Sequence, residues 1–202
     1  MKLLLEKWRE YLTEAAKTVE DLPDNVRIAV HTYGTEKATI QYELVTQIDR
    51  LASTDSPIKG RVAIMVAPAA PCGGAWMVTH ALADDGWGPL LYDVAIEWAS
   101  SKGGGLIPDR RSVSKDARKV WKYYLSNRSD VKSHQLDDMK NTLTPDDEDN
   151  CNQAVASKST IPVIGGLFSR DFASEDNPMS KRYTKEPKTL QKLSDAGRLR
   201  RT

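Results

Sequence analysis

The chain has 202 residues, of which 40% are hydrophobic and 28% charged, and its formal net charge is +1. This composition favours one globular domain, and the near-neutral charge gives no electrostatic reason to expect a nucleic acid or an anionic membrane as partner. No apolar run approaches the roughly 20 residues that a membrane-spanning helix needs, and the apolar start of the chain ends at Glu6. We therefore expect a cytoplasmic protein without a signal peptide.

The first part of the chain predicts one helix followed by several strands. Apolar residues at three- and four-residue steps predict an amphipathic helix over 3–19, which Pro23 ends. The strands that follow are indicated by period-two alternation or by β-rich apolar runs, and the first two form a hairpin. The predicted strands are 27–33, 38–45, 61–67 and 75–83.

The middle of the chain alternates between helices and strands. A helix is predicted over 86–101, where the apolar residues recur on one side, and the glycines at 103–105 end it. A short strand at 106–107, a second helix over 114–127 and a strand at 131–136 follow. The order favours a mixed α/β fold in which a central, mostly antiparallel sheet has helices on both faces.

Beyond residue 138 the pattern weakens. The stretch 144–150 is acidic and contains a proline, which predicts a flexible connection from about 141 to 160. Residues 161–168 are a candidate strand, 190–199 a candidate short helix, and 198–201 a basic tail. The predicted organisation is a domain over 1–139, a flexible linker over 140–160 and a weakly structured C-terminal extension over 161–202.

The two cysteines, Cys72 and Cys151, lie far apart in the sequence. Their spacing indicates neither a disulfide framework nor a zinc site, so we expect no metal ion. No histidine stands in a recognisable relation to Cys72, which we interpret as a loop cysteine and not as a nucleophile.

The most informative stretch is DDGWGPLL at 84–91, where a strand ends, a Gly-x-Gly turn follows and a helix begins. The first turn of a helix leaves backbone N–H groups unpaired at the positive end of the helix dipole, which suits a phosphate. Gly86 and Gly88 allow unusual backbone angles and a close approach, and Pro89 sits where its missing N–H matters least. The alternative is a plain strand-to-helix connection whose glycines only serve the backbone geometry.

The order of these elements resembles the GNAT superfamily of N-acetyltransferases. In that family a strand leads into a Gly-x-Gly/Ala turn, and the next helix carries the diphosphate of coenzyme A on its N-terminus. Residues 86–88 match the turn, 106–107 match the short strand after the helix, and SKDARKVW at 114–121 is similar to the family's Asn-x-x-Ala-x-x-Leu-Tyr. The resemblance covers about 27–138. The block 76–138 also resembles acetyltransferase-like proteins of tailed phages, most of all at 88–93 and at 108–110 running into 113–114, which implies a host cytoplasm as location.

The resemblance implies that the chain binds acetyl-CoA and passes the acetyl group to an amine of a protein or small molecule. The chain departs from the family because no Arg or Gln leads the turn, and Asp84 and Asp85 place negative charge beside it. Arg110, Arg111 or Lys115 are candidates for compensating charge, or else are solvated surface residues. The residues implied to bind the cofactor are Leu82, Ala83, Gly86, Trp87, Gly88, Pro89, Leu90 and Ser114.

Two residues are candidates for catalysis. Trp121 stands where many members of the family have the tyrosine that protonates the leaving thiolate, and Tyr124, three residues on, is the substitute. His80 is the candidate base because it titrates near neutral pH, with Glu43 as a comparable candidate. The alternatives are a core aromatic for Tyr124 and a structural histidine for His80.

Three functional hypotheses follow. The first is an active N-acetyltransferase, and the second is a GNAT-fold protein that has lost catalysis and serves as a binding or regulatory module. The third is a phage structural or host-directed protein that docks on a protein partner through its C-terminal extension. Coenzyme binding separates the first from the third, and turnover separates the first from the second.

Overall fold

The computed structural model of the chain describes residues 16–46, 56–67, 72–110, 113, 115–137, 142–151 and 175–202. The predicted helix over 3–19 lies mostly outside these residues, and its described end holds only a short 3-10 turn, Val19–Asp21. The candidate strand at 161–168 and the candidate ligand Ser114 also lie outside them. No helix among the described residues is long and apolar enough to cross a membrane.

The predicted mixed α/β class is confirmed, with eight strands and three α-helices in the described part of the chain. The sheet has the order β6-β7-β5-β4-β3-β2-β1-β8, and most of its described pairings are antiparallel, those of β1 with β8 and of β4 with β5 being parallel. The helices are α1 (Gly88–Ser101), α2 (Lys115–Asn127) and α3 (Lys188–Asp195). The strands are β1 (Val26–Tyr33), β2 (Lys37–Leu44), β3 (Gly60–Val66), β4 (Trp76–Ala83), β5 (Leu106–Ile107), β6 (Val131–Gln135), β7 (Lys181–Lys185) and β8 (Leu199–Arg201).

The chain divides into two compact units. The first unit takes in residues 1–64, 80–97 and 187–202, and the second takes in 65–79 and 98–186. Residues after 160 therefore contribute β7 to the second unit and α3 and β8 to the first. The segment 198–201, predicted as a basic tail, is mostly strand β8, because backbone pairing with β1 gives its arginines a fixed place at the sheet edge.

The first unit is built on the β1–β2 hairpin, whose register pairs Val26 with Leu44 and Tyr33 with Lys37. Alternation places Val26, Ile28 and Val30 on one face, where each is at most 1% exposed. The helix α1 buries Leu90, Leu91 and Val94 in the same unit, as its apolar stripe predicts.

A carboxylate from α1 caps the N-terminus of α3. The residue before α3 is Pro187, which offers no side-chain cap. Glu97 is fully buried, and its two carboxylate oxygens accept the backbone N–H groups of Thr189 at 2.8 Å and Leu190 at 2.7 Å. A remote side chain thus satisfies donors that a local Ser or Asp normally satisfies.

The second unit has an aromatic centre. The ring of Tyr183 on β7 stacks on Trp121 at 5.0 Å between centroids and meets Tyr124 edge-on at 6.5 Å. All three side chains are at most 1% exposed. The hydroxyl of Tyr183 donates to the carbonyl of Pro178 at 2.9 Å, so its polar end is satisfied although the ring is buried.

The prediction that the cysteines form no disulfide is wrong. Cys72 and Cys151 are joined by a disulfide across 79 residues of sequence, and both are at most 1% exposed. The N–H of Cys72 also donates to the carbonyl of Asn150 at 2.9 Å. Sequence spacing carries no information here, because the fold of the second unit brings the two segments together.

The described part of the predicted flexible linker, residues 142–151, is hydrogen-bonded. Buried Asp137 accepts the N–H groups of Leu143 at 2.8 Å and Thr144 at 3.3 Å. The acidic run forms a 3-10 turn, Asp147–Asp149, in which Asp146 caps the N–H of Glu148. The acidic side chains thus serve as local caps, which a composition argument does not detect.

Candidate functional site

The end of β4 is open to solvent. Trp76, Met77 and Val78 are buried, but the strand is exposed from residue 79 to 83, and Leu82 is 48% exposed. The pairing of β4 with β5 consists of Trp76 with Leu106 and Met77 with Ile107, and the rest of β4 continues beyond the end of β5. An interior strand that is exposed at its carboxyl end is where α/β sheets commonly bind ligands.

A tight turn connects β4 to α1. Gly86 has φ of 79°, a conformation that side chains rarely adopt. The N–H of Trp87 donates to the carbonyl of Asp84 at 3.1 Å, and the carbonyl of Trp87 accepts the hydroxyl of Tyr42 at 2.8 Å. The rings of Trp87 and Tyr42 also meet edge-on at 5.5 Å, so the tryptophan of the turn packs on the hairpin.

The first residue of α1 has room for a side chain. Among the described residues, a Cβ placed on Gly88 has one neighbour within 4 Å, the Cβ of Ala83 at 3.8 Å. The side chain of Leu90 points into the core at 4% exposure, so this residue offers a ligand its backbone N–H and not its side chain. The first turn of a helix leaves backbone N–H groups without intrahelical acceptors.

The charged residues that the sequence analysis assigned to the turn have different environments. The carboxylate of Asp84 accepts the N–H of Lys59 at 2.7 Å, and the N–H of Asp84 donates to the carbonyl of Lys59 at 2.8 Å, so Asp84 fixes the start of β3. Arg110, a candidate for compensating charge or a solvated surface group, is fully buried in the second unit and donates to the carbonyl of Asp137 at 2.9 Å. Arg111 lies outside the described residues.

The two candidate catalytic residues have different environments. His80 lies on the exposed end of β4, in the first unit. Tyr124 belongs to the aromatic centre of the second unit, is 1% exposed, and has the guanidinium of Arg128 at 5.2 Å from its ring centroid. The environment of Tyr124 matches the alternative interpretation as a core aromatic, whereas His80 is accessible to a substrate.

The other candidate base, Glu43, belongs to a buried polar cluster on β1 and β2. Glu43 is fully buried, and its carboxylate lies 2.5 Å from Nε2 of His31 and accepts Nε2–H of Gln41 at 3.0 Å. Arg200 approaches it at 3.4 Å, and Nδ1 of His31 lies 2.6 Å from the hydroxyl of Thr202. Burial acts to raise the pKa of Glu43, but these hydrogen bonds and charges outweigh it and hold the pKa below its ordinary value.

The sequence analysis did not detect this cluster as a unit. Its members come from β1, β2 and the end of the chain, and only the strand register unites them. Alternation predicts that Arg27 and His31 share a face, and the register adds Glu43 opposite Arg27. The partner from the C-terminus has no sequence signal, since a basic tail is normally solvated.

Comparison with known proteins gives no relatives. No protein-family model, no curated protein and no solved structure matches the chain significantly.

Proposed function

We propose that this protein binds acetyl-CoA at the β4–α1 turn and transfers the acetyl group to an amine. The observation that carries the proposal is the exposed end of β4, which leads through the positive-φ Gly86 into a helix whose first residue, Gly88, has room for a Cβ among the described residues. Phosphates bind at helix starts of this kind, because the unpaired N–H groups and the helix dipole both favour an anion. The order of elements around the turn resembles that of the GNAT superfamily.

In this proposal the groups near the turn have separate roles in binding the coenzyme and in acetyl transfer. The amides at the start of α1 hold the diphosphate, and backbone N–H groups at the exposed end of β4 polarise the acetyl carbonyl. His80 accepts the proton of the attacking amine, since only the neutral amine is a nucleophile. A C–N bond forms, the C–S bond breaks, and coenzyme A leaves as its thiol after it takes up a proton.

A second candidate function is a coenzyme-binding module without catalysis. Burial of Tyr124 and Trp121 favours it, because the hydroxyl of Tyr124, the candidate proton donor, is then not accessible to the leaving thiolate. In this case acetyl-CoA binds at the same turn, and the bound state is recognised by a partner.

Binding is tested by thermal-shift titration with acetyl-CoA. A ligand that binds only the folded protein raises its Tm in proportion to the logarithm of concentration over Kd. Gly88→Glu is the informative variant, because its Cβ fits beside Ala83 and a carboxylate near a helix start does not harm the fold. It fills the phosphate position with negative charge, so its Tm is expected to stay constant as acetyl-CoA is added.

Gly88→Ala is the matched control, since it adds only the Cβ and no charge. It is expected to keep a ligand-dependent rise in Tm. No rise in the wild type at millimolar acetyl-CoA contradicts both candidate functions. A rise without release of thiol from acetyl-CoA, measured with spermidine and with a lysine-rich peptide as acceptors, favours the binding module. Thiol release that drops at least tenfold in His80→Gln supports the transferase.

A further inference from the structure

The acidic strap, as we call residues 142–151, reaches the core of the second unit at its last residue. Residues 145–148 of the strap are exposed, whereas Cys151 is 1% exposed. Cys151 lies in an apolar cluster with Met77 and Ile107, which β4 and β5 pair side by side. The apolar contribution to holding the strap therefore comes from the end that carries the disulfide.

Hydrogen bonds also connect the acidic strap to the second unit. The carboxylate of Asp137 accepts the N–H groups of Leu143 at 2.8 Å and Thr144 at 3.3 Å. The carbonyl of Asn150 accepts the N–H of Cys72 at 2.9 Å. Each of these bonds replaces one that water would make, so its net contribution to holding the strap is modest. The covalent bond to Cys72 is therefore the strongest of the described constraints on the strap.

The backbone is strained at the other end of the disulfide. Cys72 has φ of 40°, and among the described residues it is the one non-glycine residue with a positive φ. A residue with a Cβ rarely adopts this left-handed conformation, which persists where the surrounding structure enforces it and is frequent in switch regions. The bond to Cys151 is one such constraint, so breaking it allows Cys72 to relax.

Like charges also act against the position of the acidic strap. Burial raises the pKa of Asp149, and the neighbouring carboxylates of Asp137 and Asp146 raise it further. The hydrogen bond from Thr144 and the charge of Arg182 act in the opposite direction, but the pKa stays above its ordinary value. The strap is thus held where its carboxylates repel one another and Asp137, and moving away relieves this repulsion.

We propose that the Cys72–Cys151 disulfide is a redox switch, whose reduction releases the acidic strap while the strands of the second unit stay paired. The reductant is a dithiol. One of its thiolates attacks a sulfur of the disulfide, the S–S bond breaks, and the second thiol then closes the reductant's own disulfide ring. Two electrons pass to the protein, and both cysteines end as thiols that carry the two protons of the dithiol. The switch does not depend on acetyl-CoA binding.

Amide hydrogen exchange, followed residue by residue by NMR, tests the switch. In the oxidised protein the N–H groups of Cys72, Leu143 and Thr144 are hydrogen-bonded. After complete reduction by dithiothreitol they are expected to exchange at least about tenfold faster, because the strap opens locally. The N–H groups that pair β6 with β7 are expected to change by less than about twofold, since this pairing does not involve the strap.

The double variant Cys72→Ser with Cys151→Ser is the matched control. It is expected to show the fast exchange at Leu143 and Thr144 both with and without dithiothreitol. Protection that persists at these two residues in the fully reduced protein or in the double variant overturns the proposal. An equal loss of protection in β6 and β7 also overturns it, because the disulfide then holds the whole unit and not the strap. So does a wild type that dithiothreitol does not reduce under native conditions, as measured by alkylation of the thiols and mass spectrometry.

Discussion

Glu97 illustrates how one buried side chain organises distant parts of this protein. Its carboxylate replaces the missing cap of α3, more than 90 residues further along the chain. The sequence placed this residue correctly within a helix but gave no sign of its partner, because a glutamate between apolar positions normally faces solvent. What keeps it buried is the pair of backbone N–H groups, of Thr189 and Leu190, whose hydrogen bonds its two carboxylate oxygens accept.

Replacing Glu97 by Gln is therefore expected to lower the free energy of unfolding by about 1–3 kcal/mol, since the amide accepts at one end only and leaves one N–H unpaired. Urea unfolding measures the change. Asp195→Asn is the control, because Asp195 is an exposed residue of α3 with a side-chain hydrogen bond from Gln191, and its change should stay within about 0.5 kcal/mol. A similar loss in both variants contradicts the capping role.

Glu43 gives a prediction on pH. Its pKa is lowered in the folded protein, so its contribution to stability is present above the ordinary carboxyl value and is lost as pH falls through the lower folded value. Glu43→Gln is expected to cost about 3 kcal/mol near pH 7, because Arg27 and Arg200 then lack their buried counter-charge. The difference from wild type should shrink as pH falls below 4.5. A difference that stays constant down to pH 3, measured by urea unfolding, rules out this ionisation as the cause.

At the scale of elements, strands with clear alternation were predicted to within one or two residues. The predicted 27–33 is β1 (Val26–Tyr33), and the predicted 106–107 is β5. The helix predicted from 86 begins at Gly88, because residues 84–87 form the hydrogen-bonded turn that positions the candidate site. β8 was not predicted, because three residues that include two arginines show no alternation of apolar and polar residues. They form a strand because they pair with the edge of β1.

Gly104, in the loop after α1, packs directly against the backbone of the turn before β4. A Cβ on Gly104 would lie 1.8 Å from the carbonyl oxygen of Gly74 and 2.9 Å from the nitrogen of Ala75. Both are backbone atoms, which cannot rotate away. Gly104→Ala is therefore expected to destabilise the protein by at least about 3 kcal/mol.

Gly34→Ala is the comparison for Gly104→Ala. Gly34 has φ of 64°, and none of the described residues lies within 4 Å of a Cβ placed there, so backbone strain of about 1 kcal/mol is the expected cost. Thermal unfolding of both variants measures the two costs. Equal shifts in Tm would mean that the contact with Gly74 does not constrain the fold.

On the scale of the whole molecule, the disulfide is the largest departure from the sequence analysis. It is buried among Ala67, Ala75, Met77, Ile107 and Leu136. Disulfides persist mainly in oxidising surroundings. The cytoplasmic location therefore stays a prediction, and this bond argues against it.

The candidate site was predictable because its turn is local in sequence, whereas the disulfide and the polar cluster depend on contacts between distant segments.

Cys72→Ser combined with Cys151→Ser is expected to lower the free energy of unfolding by up to about 4.5 kcal/mol, the chain-entropy value for a loop of 79 residues. Peptide mapping without reductant is expected to recover the two cysteines in one linked fragment. Dithiothreitol should lower the Tm of the wild type and leave the double variant unchanged. If the reductant has no effect on a wild type that is shown to be reduced, the bond does not stabilise the fold.

Strand order also decides when the protein can fold during its synthesis. β7 lies between β5 and β6, although it comes from residues 181–185, and β8 completes the edge of β1 with residues 199–201. A nascent chain that has not reached residue 181 has no strand to join β5 to β6, and β1 keeps an open edge until residue 199 is made. Ribosome-bound intermediates that have not reached these residues therefore expose unpaired strand edges. We expect such intermediates to depend on nascent-chain chaperones more than a protein does whose strands pair in the order in which they are made.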